Sequence, residues 1–271
     1  MLSTVYLNGQ YLPREQATLN VADLAILRGF GVFDYFRYAK GEPRYLEDHL
    51  QRFQNSAREL GMDLPVTDTE LTEVVYQLIE RNGRGNGGIR FVLTGGYAPD
   101  GYTPSTPNLV AMAYPFSYPP PELYERGCNV VFHTFERQLP RVKTIDYLEG
   151  IRIQPLLKQH GADYVLYVDR DGNVRESDRS NYLIVKDGTL ITPIDDILLG
   201  ITRKHILRLA RDLGIPVEER AVHREEVQLA DEAIIASSTK GVLPITRLGG
   251  QPIGNGAVGP VTRRLMKGWV Y

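Results

Sequence analysis

VRESDRSNYLIVKDGTLITP, residues 174–193, is the stretch from which the rest of the chain is read. Tyr182–Val185 is an uninterrupted apolar run bounded by turn residues, the pattern of a buried strand. Asp187-Gly188 is the dipeptide of a tight hairpin turn. Thr189–Thr192 returns as a second strand, closed by Pro193. Upstream, Glu176 stands four residues ahead of Ser180-Asn181, so a carboxylate and two short polar side chains lead into the strand.

The segments on either side follow the same grammar. NVVFHTF (129–135), ADYVLYVD (162–169), IPVEERAV (215–222), EAIIASS (232–238) and VLPITRL (242–248) read as strands. YVDRDGNV (167–174) turns at a second Asp-Gly pair. Helical spacing marks IDYLEGIRIQPLLKQH (145–160), TRKHILRLARDLG (202–214) and GPVTRRLMKGW (259–269). Lys143 therefore sits on the hinge between a strand and a helix.

In the first half, TVYLNGQYL (4–12) is a hairpin at Asn8-Gly9, and VFDYFRYAKGEPRYL (32–46) is a hairpin at KGEP. LEDHLQRFQNSARELG (46–61) and TDTELTEVVYQLIERNG (67–83) are amphipathic helices, the second capped by Thr67 or Asp68. IRFVLTGG (89–96) and NLVAMAYPF (108–116) are buried strands. FSYPPPELYERG (116–127) interrupts this order. Three consecutive prolines favour an extended spacer. The expected organisation is α/β with two domains: a small N-terminal domain over 1–115, a linker over 116–122, and a larger C-terminal domain over 123–271.

Composition narrows the function classes. The chain has 271 residues, 42% hydrophobic and 24% charged, which suits a globular protein with a substantial core. A formal charge of −2 does not suit a general nucleic-acid binder. There is no apolar run of transmembrane length and no signal-peptide pattern at the N-terminus. With a single Cys128, no internal disulfide forms, and a cytoplasmic setting is expected. The histidines (His49, His133, His160, His205 and His223) show no ligand spacing, so no metal is expected. Neither GxGxxG nor GxxxxGK occurs.

HLQRF (49–53), VKTIDYL (142–148), VRESDRSNYLIVKDGTLITP (174–193), LLGITR (198–203) and ASSTKG (236–241), taken in order, resemble the fold-type IV aminotransferases, which use pyridoxal phosphate (PLP). That family includes D-amino acid transaminases, branched-chain aminotransferases and aminodeoxychorismate lyases, and the likeness spans nearly the whole chain. It implies that Lys143 is the catalytic amine that holds the cofactor covalently and shuttles a proton. It implies that Glu176 faces the ring nitrogen, whereas Glu176 taken alone reads as a strand-edge glutamate. Tyr147, four residues past Lys143 on one helix face, would reach the ring hydroxyl oxygen. The phosphate would be held by Arg52, by Ile201 and Thr202 at a helix start, and by Ser238 and Thr239. Lys158 and Lys186 compete with Lys143 on position but read as solvated.

Substrate residues depart from both standard patterns of the family. Arg28 lies in an apolar loop, ILRGFGVFDY, and Arg90 lies inside a strand. The tyrosine expected two residues before Arg90 is Gly88, and a tyrosine common near GxGV is Phe33. An Arg-x-His carboxylate trap is replaced by YAPDGYTP. The expectation is that Arg28 of one subunit and Arg90 of the other clamp the substrate carboxylate, with Lys240 adding charge near the pocket. KTIDYL (143–148) resembles the D-amino acid enzymes of the family more than the branched-chain ones, and the resemblance implies transamination between a D-amino acid and a 2-oxo acid by a homodimer. A branched-chain L-amino acid aminotransferase is the alternative. An aminodeoxychorismate lyase and a non-catalytic PLP-binding protein are further classes. The role of Arg179, where the family favours a small residue, is open.

Overall fold

A computed structural model describes residues 3–269. The chain divides into two compact units. Unit 1 holds the described residues up to Ser117 together with Val142–Asp146, and unit 2 holds Tyr118–Arg141 and the described residues from Tyr147 onward. The sequence placed everything beyond residue 122 in one C-terminal domain. The short lysine-bearing segment departs from that because its backbone pairs with residues 31–33 of unit 1.

Unit 1 contains β1 (Thr4–Leu7), β2 (Gln10–Pro13), α1 (Leu24–Arg28), β3 (Gly31–Ala39), β4 (Glu42–Pro43), α2 (Leu46–Glu59), α3 (Asp68–Asn82), β5 (Gly87–Thr94) and β6 (Leu109–Pro115). Six strands run in the order β2-β1-β6-β5-β3-β4, and every pair is antiparallel. Asn8 and Gly9 turn the first hairpin at positive φ, 46° and 90°. Thr67 opens α3 with a capping box to Glu70. Strand alternation sends Phe36, Ile89, Phe91 and Leu93 to one face, where Phe53 of α2 and Leu71, Val75 and Leu78 of α3 cover them. Phe53 stacks on Phe91 with ring centroids 5.5 Å apart. The alternate residues Phe33, Tyr35 and Arg90 then take the opposite face.

Unit 2 contains α4 (Pro121–Arg126), β7 (Cys128–Thr134), α5 (Leu148–Arg152), α6 (Gln154–Gln159), β8 (Tyr164–Val168), β9 (Asn181–Lys186), β10 (Thr189–Thr192), α7 (Ile201–Asp212), β11 (Val217–Glu219), α8 (Arg224–Gln228), β12 (Glu232–Ser237), β13 (Gly241–Leu248), β14 (Gln251–Pro252) and α9 (Pro260–Gly268). Its sheet runs β11-β10-β9-β12-β13-β7-β8, with β14 on β13. The β10–β11, β13–β7 and β7–β8 pairs are parallel. The central residues of β9, Tyr182–Val185, are all apolar because both faces of the strand are covered there. Tyr182 and Ile184 enter one cluster with Leu166, Ile235 and Leu243, while Leu183 and Val185 enter another with Ile206, Leu207 and Leu265.

Three sequence expectations change. Pro121 begins α4 instead of continuing a spacer, because proline at the first helical position has its φ already set and needs no N–H partner. The helix expected over 145–160 is split into α5 and α6 at Ile153, with Pro155 near the start of the second. Residues 144–146 are not helical at all, so Lys143 and Tyr147 do not share a helix face. Conversely, the loop expected around Arg28 contains α1, whose N-cap Asp23 accepts from Ala25 N at 2.8 Å. Among the described residues no helix is long and apolar enough to cross a membrane.

If the α2/α3 layer on the unit 1 sheet supplies most of its stability, Phe53→Ala costs about 3–5 kcal/mol by opening a cavity. Thr67→Ala removes only a cap and costs about 1 kcal/mol. Urea unfolding followed by circular dichroism checks the order of the two midpoints, and a larger loss at Thr67 would reverse the argument.

Candidate active site

Lys143 is placed by backbone pairing. Phe33 N donates to Lys143 O at 2.9 Å and Ile145 N donates to Gly31 O at 3.0 Å, so residues 143–145 lengthen the free edge of β3. Val32 and Thr144 form an antiparallel bridge, and Lys143 N donates to Ser56 Oγ of α2 at 3.2 Å. With its backbone held on three sides, the side chain is directed over the sheet face, where Nζ lies 4.5 Å from the Phe33 ring centroid. Arg90 shares that ring: its Cζ is 5.4 Å from Phe33, 5.9 Å from Tyr35 and 5.5 Å from Tyr114. Strand register explains the cluster, since Tyr35 pairs with Arg90 across β3–β5 and Gly88 pairs with Tyr114 across β5–β6. Gly88 is the residue that makes room. A Cβ there would lie 2.0 Å from Tyr35 Oη. Among the described residues no carboxylate pairs with Arg90, so its N–H edge is available to an anion.

Arg52 is held from beneath. Its Nε donates to Asp34 Oδ2 and its Nη2 to Asp34 Oδ1, both at 2.8 Å, and His49 Nδ1 sits 2.8 Å from the same Oδ1. Asp34 and His49 are both buried. Burial pushes the Asp34 carboxyl up, but the Arg52 guanidinium and His49 outweigh it and hold Asp34 well below the usual carboxylate range. Burial also pushes His49 down, against the pull of Asp34, with the Arg52 and Lys143 charges adding to the fall. His49 therefore stays neutral, and Asp34 is an anion whose charge is matched by Arg52. Bidentate pairing leaves Nη1 of Arg52 as the nitrogen not engaged by Asp34.

In unit 2, Glu176 is buried and doubly held: Arg137 Nη1 donates to Oε1 at 2.8 Å and Leu198 N donates to Oε2 at 3.1 Å. Asn181 Nδ2 donates to Leu198 O at 2.8 Å, so the strand leading from Glu176 pins the loop ahead of α7. Gly200 caps that helix, and a Cβ on it would lie 2.0 Å from Asn181 Oδ1. Ile201 and Thr202 thus open α7 with N–H groups and dipole end unclaimed by any capping side chain. Tyr147 is the N-cap residue of α5, and burial pushes its phenol up to about 12, with Arg137 opposing and Glu176 and Asp178 reinforcing the rise. A cleft of about 210 Å³ lined by Arg137, Arg175, Glu176 and Tyr167 opens beside the carboxylate.

Ser238 and Thr239 occupy the half-buried turn from β12 to β13, where Ser237 Oγ and Thr239 Oγ1 are 3.1 Å apart. Lys240, expected to face the substrate pocket, is instead buried. Its Nζ donates to Ser180 Oγ at 3.0 Å and lies 4.5 Å from the Tyr164 ring centroid. Burial and nearby Arg179 lower its pKa to about 8. Arg179 itself is exposed and pairs with Asp178 Oδ2 at 2.8 Å. Arg28 is exposed in the last turn of α1, donating to Leu27 O at 3.1 Å, and does not join the Phe33 cluster. Burial raises the Cys128 thiol far above its ordinary range, which removes it as a nucleophile. Among the described residues no group of three or more His, Cys, Asp or Glu could hold a metal ion.

Unit 1 presents an amine over an aromatic ring and an anchored guanidinium, and unit 2 presents a buried carboxylate held by Arg137 and two turns that carry donors. Those are the groups an aldehyde-bearing pyridine phosphate requires. The amino-transferase class IV family matches residues 31–248. The chain belongs to the class IV aminotransferases. Its architecture is accordingly the α/β fold-type IV arrangement of two sheets flanked by helices, and its chemistry is PLP-dependent transamination. It is 34% identical over 275 residues to a D-alanine aminotransferase of Staphylococcus epidermidis, covering 99% of this chain and 97% of that protein. It is 32% identical over 271 residues to a putative branched-chain-amino-acid aminotransferase of Methanocaldococcus jannaschii, with 96% and 93% covered. The crystal structure of a branched-chain amino acid aminotransferase of Escherichia coli matches with a TM-score of 0.93 at 28% identity, covering 98% of this chain and 93% of that one.

Four residues of this aminotransferase escaped the sequence reading: Asp34, His49, Arg137 and Ser180. A signal existed for the first two. Asp34 is a charge in phase with buried positions of a strand, and His49 precedes Arg52 by one helical turn. Arg137 sits in an irregular loop 39 residues before Glu176, where spacing carries no information.

Asp34→Asn leaves Arg52 without its buried counter-charge and should cost about 3 kcal/mol or more at pH 7. The folded carboxyl is depressed, so its contribution is complete above its unfolded value of about 3.9 and is lost as pH falls through the lower folded value. The deficit of the variant in urea midpoint should persist at pH 5 and narrow only in stronger acid. A gap that closes between pH 7 and pH 5 would contradict the pairing.

Proposed function

We propose that this aminotransferase moves the amino group of a D-amino acid, such as D-alanine or D-glutamate, to a 2-oxo acid such as 2-oxoglutarate or pyruvate. One observation carries the reading: Lys143 Nζ and the Arg90 guanidinium approach the same Phe33 ring, so a reacting amine and a carboxylate receptor share one surface. The full-length likeness to D-alanine aminotransferases supports the choice of enantiomer. The likeness to branched-chain enzymes makes L-amino acid transamination the second reading, since Arg90 lies on a strand within their shared fold. The working form in this proposal is a cytoplasmic homodimer in which the partner subunit's Arg28 joins Arg90 at the carboxylate.

PLP, when bound, supplies a protonated ring that accepts the electron pair left on the substrate Cα. Every other task falls to side chains. Lys143 would hold the cofactor covalently until the substrate amine displaces it, and the freed Nζ would then take the Cα proton. Lys143 Nζ lies over the Phe33 ring on the same face as Arg90, within reach of a substrate held there by its carboxylate. Glu176 would face the ring nitrogen, and Arg137 and Leu198 N fix the orientation of its carboxylate. Tyr147 retains its proton across the working pH range, which suits a donor to the ring hydroxyl oxygen. Arg52 Nη1, the first amides of α7 at Ile201 and Thr202, and Ser238 and Thr239 are the assigned phosphate donors. Arg90 orients the substrate by its carboxylate, and the hand of that orientation decides which enantiomer offers its Cα proton to Lys143.

Mixing the PLP-loaded protein with single amino acids tests the reading. D-alanine or D-glutamate should bleach the bound-cofactor absorbance within one turnover and release the matching oxo acid, while L-leucine should not. Turnover of L-leucine alone would transfer the assignment to the branched-chain reading, and pyruvate from aminodeoxychorismate would transfer it to the lyases. Arg90→Leu should raise the KM for both substrates about tenfold or more, the size expected from losing a charge-assisted pair, and leave PLP bound. An unchanged KM would make Arg90 a structural residue.

A further inference from the structure

Lys240 is a buried cation without an anion. Its side chain is 5% exposed, and among the described residues no carboxylate pairs with it. What surrounds Nζ is a neutral hydroxyl, Ser180 Oγ at 3.0 Å, and the face of Tyr164 with its centroid at 4.5 Å. Asp178 is the acid on the same side, but it is engaged by Arg179 at 2.8 Å. A desolvated ammonium is costly, and a hydroxyl and a ring offset only part of that cost. The backbone around it is equally constrained: Lys240 N donates to Ser237 O at 3.0 Å, and Tyr124 Oη donates to Lys240 O at 2.8 Å. The amine is therefore built into the turn that carries Ser238 and Thr239. Ser180, only 7% exposed, accepts from Nζ, which directs its own hydroxyl proton away from Lys240. Its carbonyl accepts from Ser177 N at 2.8 Å, closing the turn after Glu176.

We propose that Lys240 is a positioning residue for the cofactor phosphate: its ammonium, tied through Ser180 to the Glu176 segment, supplies the positive charge that a phosphate dianion at the Ser238-Thr239 turn completes. The inference rests on the reading of Ser238 and Thr239 as phosphate donors. Direct contact between Nζ and the phosphate is not required, because a charge inside the sheet acts over several ångströms with little solvent screening. The charge matters to a ligand that bears phosphate and is indifferent to the same ring without it. A merely structural lysine would affect both ligands or neither.

The test uses the full-length cofactor-free protein, with dissociation constants for PLP and for pyridoxal measured by fluorescence on wild type, Lys240→Met and Lys240→Arg. Lys240→Met is expected to weaken PLP about tenfold, leave pyridoxal within about twofold, and be largely corrected by Lys240→Arg. Weakening of both ligands to the same degree, or PLP affinity within about twofold of wild type, overturns the proposal. Should Lys240→Met fail to fold, Ser180→Ala is read in the same way, with a smaller loss for PLP and none for pyridoxal. Equal affinity of the wild-type protein for both compounds sinks the phosphate reading of the turn, and this inference with it. That outcome is distinct from one in which wild type prefers PLP and Lys240→Met keeps the preference.

Discussion

Two backbone hydrogen bonds at the edge of β3, Phe33 N to Lys143 O and Ile145 N to Gly31 O, are the constraint on which the chemistry depends. A lysine on a flexible loop would sample many directions. Pairing residues 143–145 to a strand whose other side is locked to β5 removes that freedom and sets which way the side chain leaves the backbone. The amine then lies over Phe33, on the surface that carries Arg90. Strand alternation does the rest: the core-facing residues of β3 and β5 build the hydrophobic layer, and the residues between them build the face that carries Phe33, Tyr35 and Arg90, to which the proposed chemistry is assigned.

Several buried charges in this molecule are arranged in matched pairs, and the pairing joins residues far apart in sequence. Asp34 is tolerable inside the sheet only because Arg52 and His49 meet it. Arg52 is aimed only because Asp34 holds two of its nitrogens. Glu176 and Arg137 stand in the same relation, with Leu198 N as a further donor that ties the carboxylate to the start of α7. Lys240 differs: among the described residues no carboxylate pairs with it, and its Nζ donates to the neutral Ser180 hydroxyl.

Much of the fold was legible from local chemistry. Asp-Gly and Asn-Gly pairs located the hairpins, the capping box located α3, and the uninterrupted apolar run of β9 located the two-sided core. The errors cluster where local pattern and tertiary pairing disagree. Residues 144–147 carry a helix-compatible pattern, yet Thr144 bridges to Val32 and Ile145 N donates to Gly31 O, and the helix begins at Leu148. Pro119–Pro121 looked like a spacer because proline has the same φ at a first helical position as in an extended segment, so only the hydrogen bonding of the next turn separates the two. Lys240 was placed near the pocket by its position after Ser238-Thr239; nothing local reveals that its side chain lies over Tyr164 and donates to Ser180.

The sequence by itself determined the identity of the elements, the family, and the residue types that the cofactor needs, because motifs such as the Glu176–Asn181 strand approach and the Gly200–Thr202 helix start are contiguous and their chemistry is local. Only the tertiary structure decided which side chains support those groups. The Asp34–Arg52 pair spans 18 residues, Arg137–Glu176 spans 39 and Lys240–Ser180 spans 60. Such partners are brought together by strand order and sheet register, which depend on the whole set of packing contacts and leave no trace in the spacing of the residues they join.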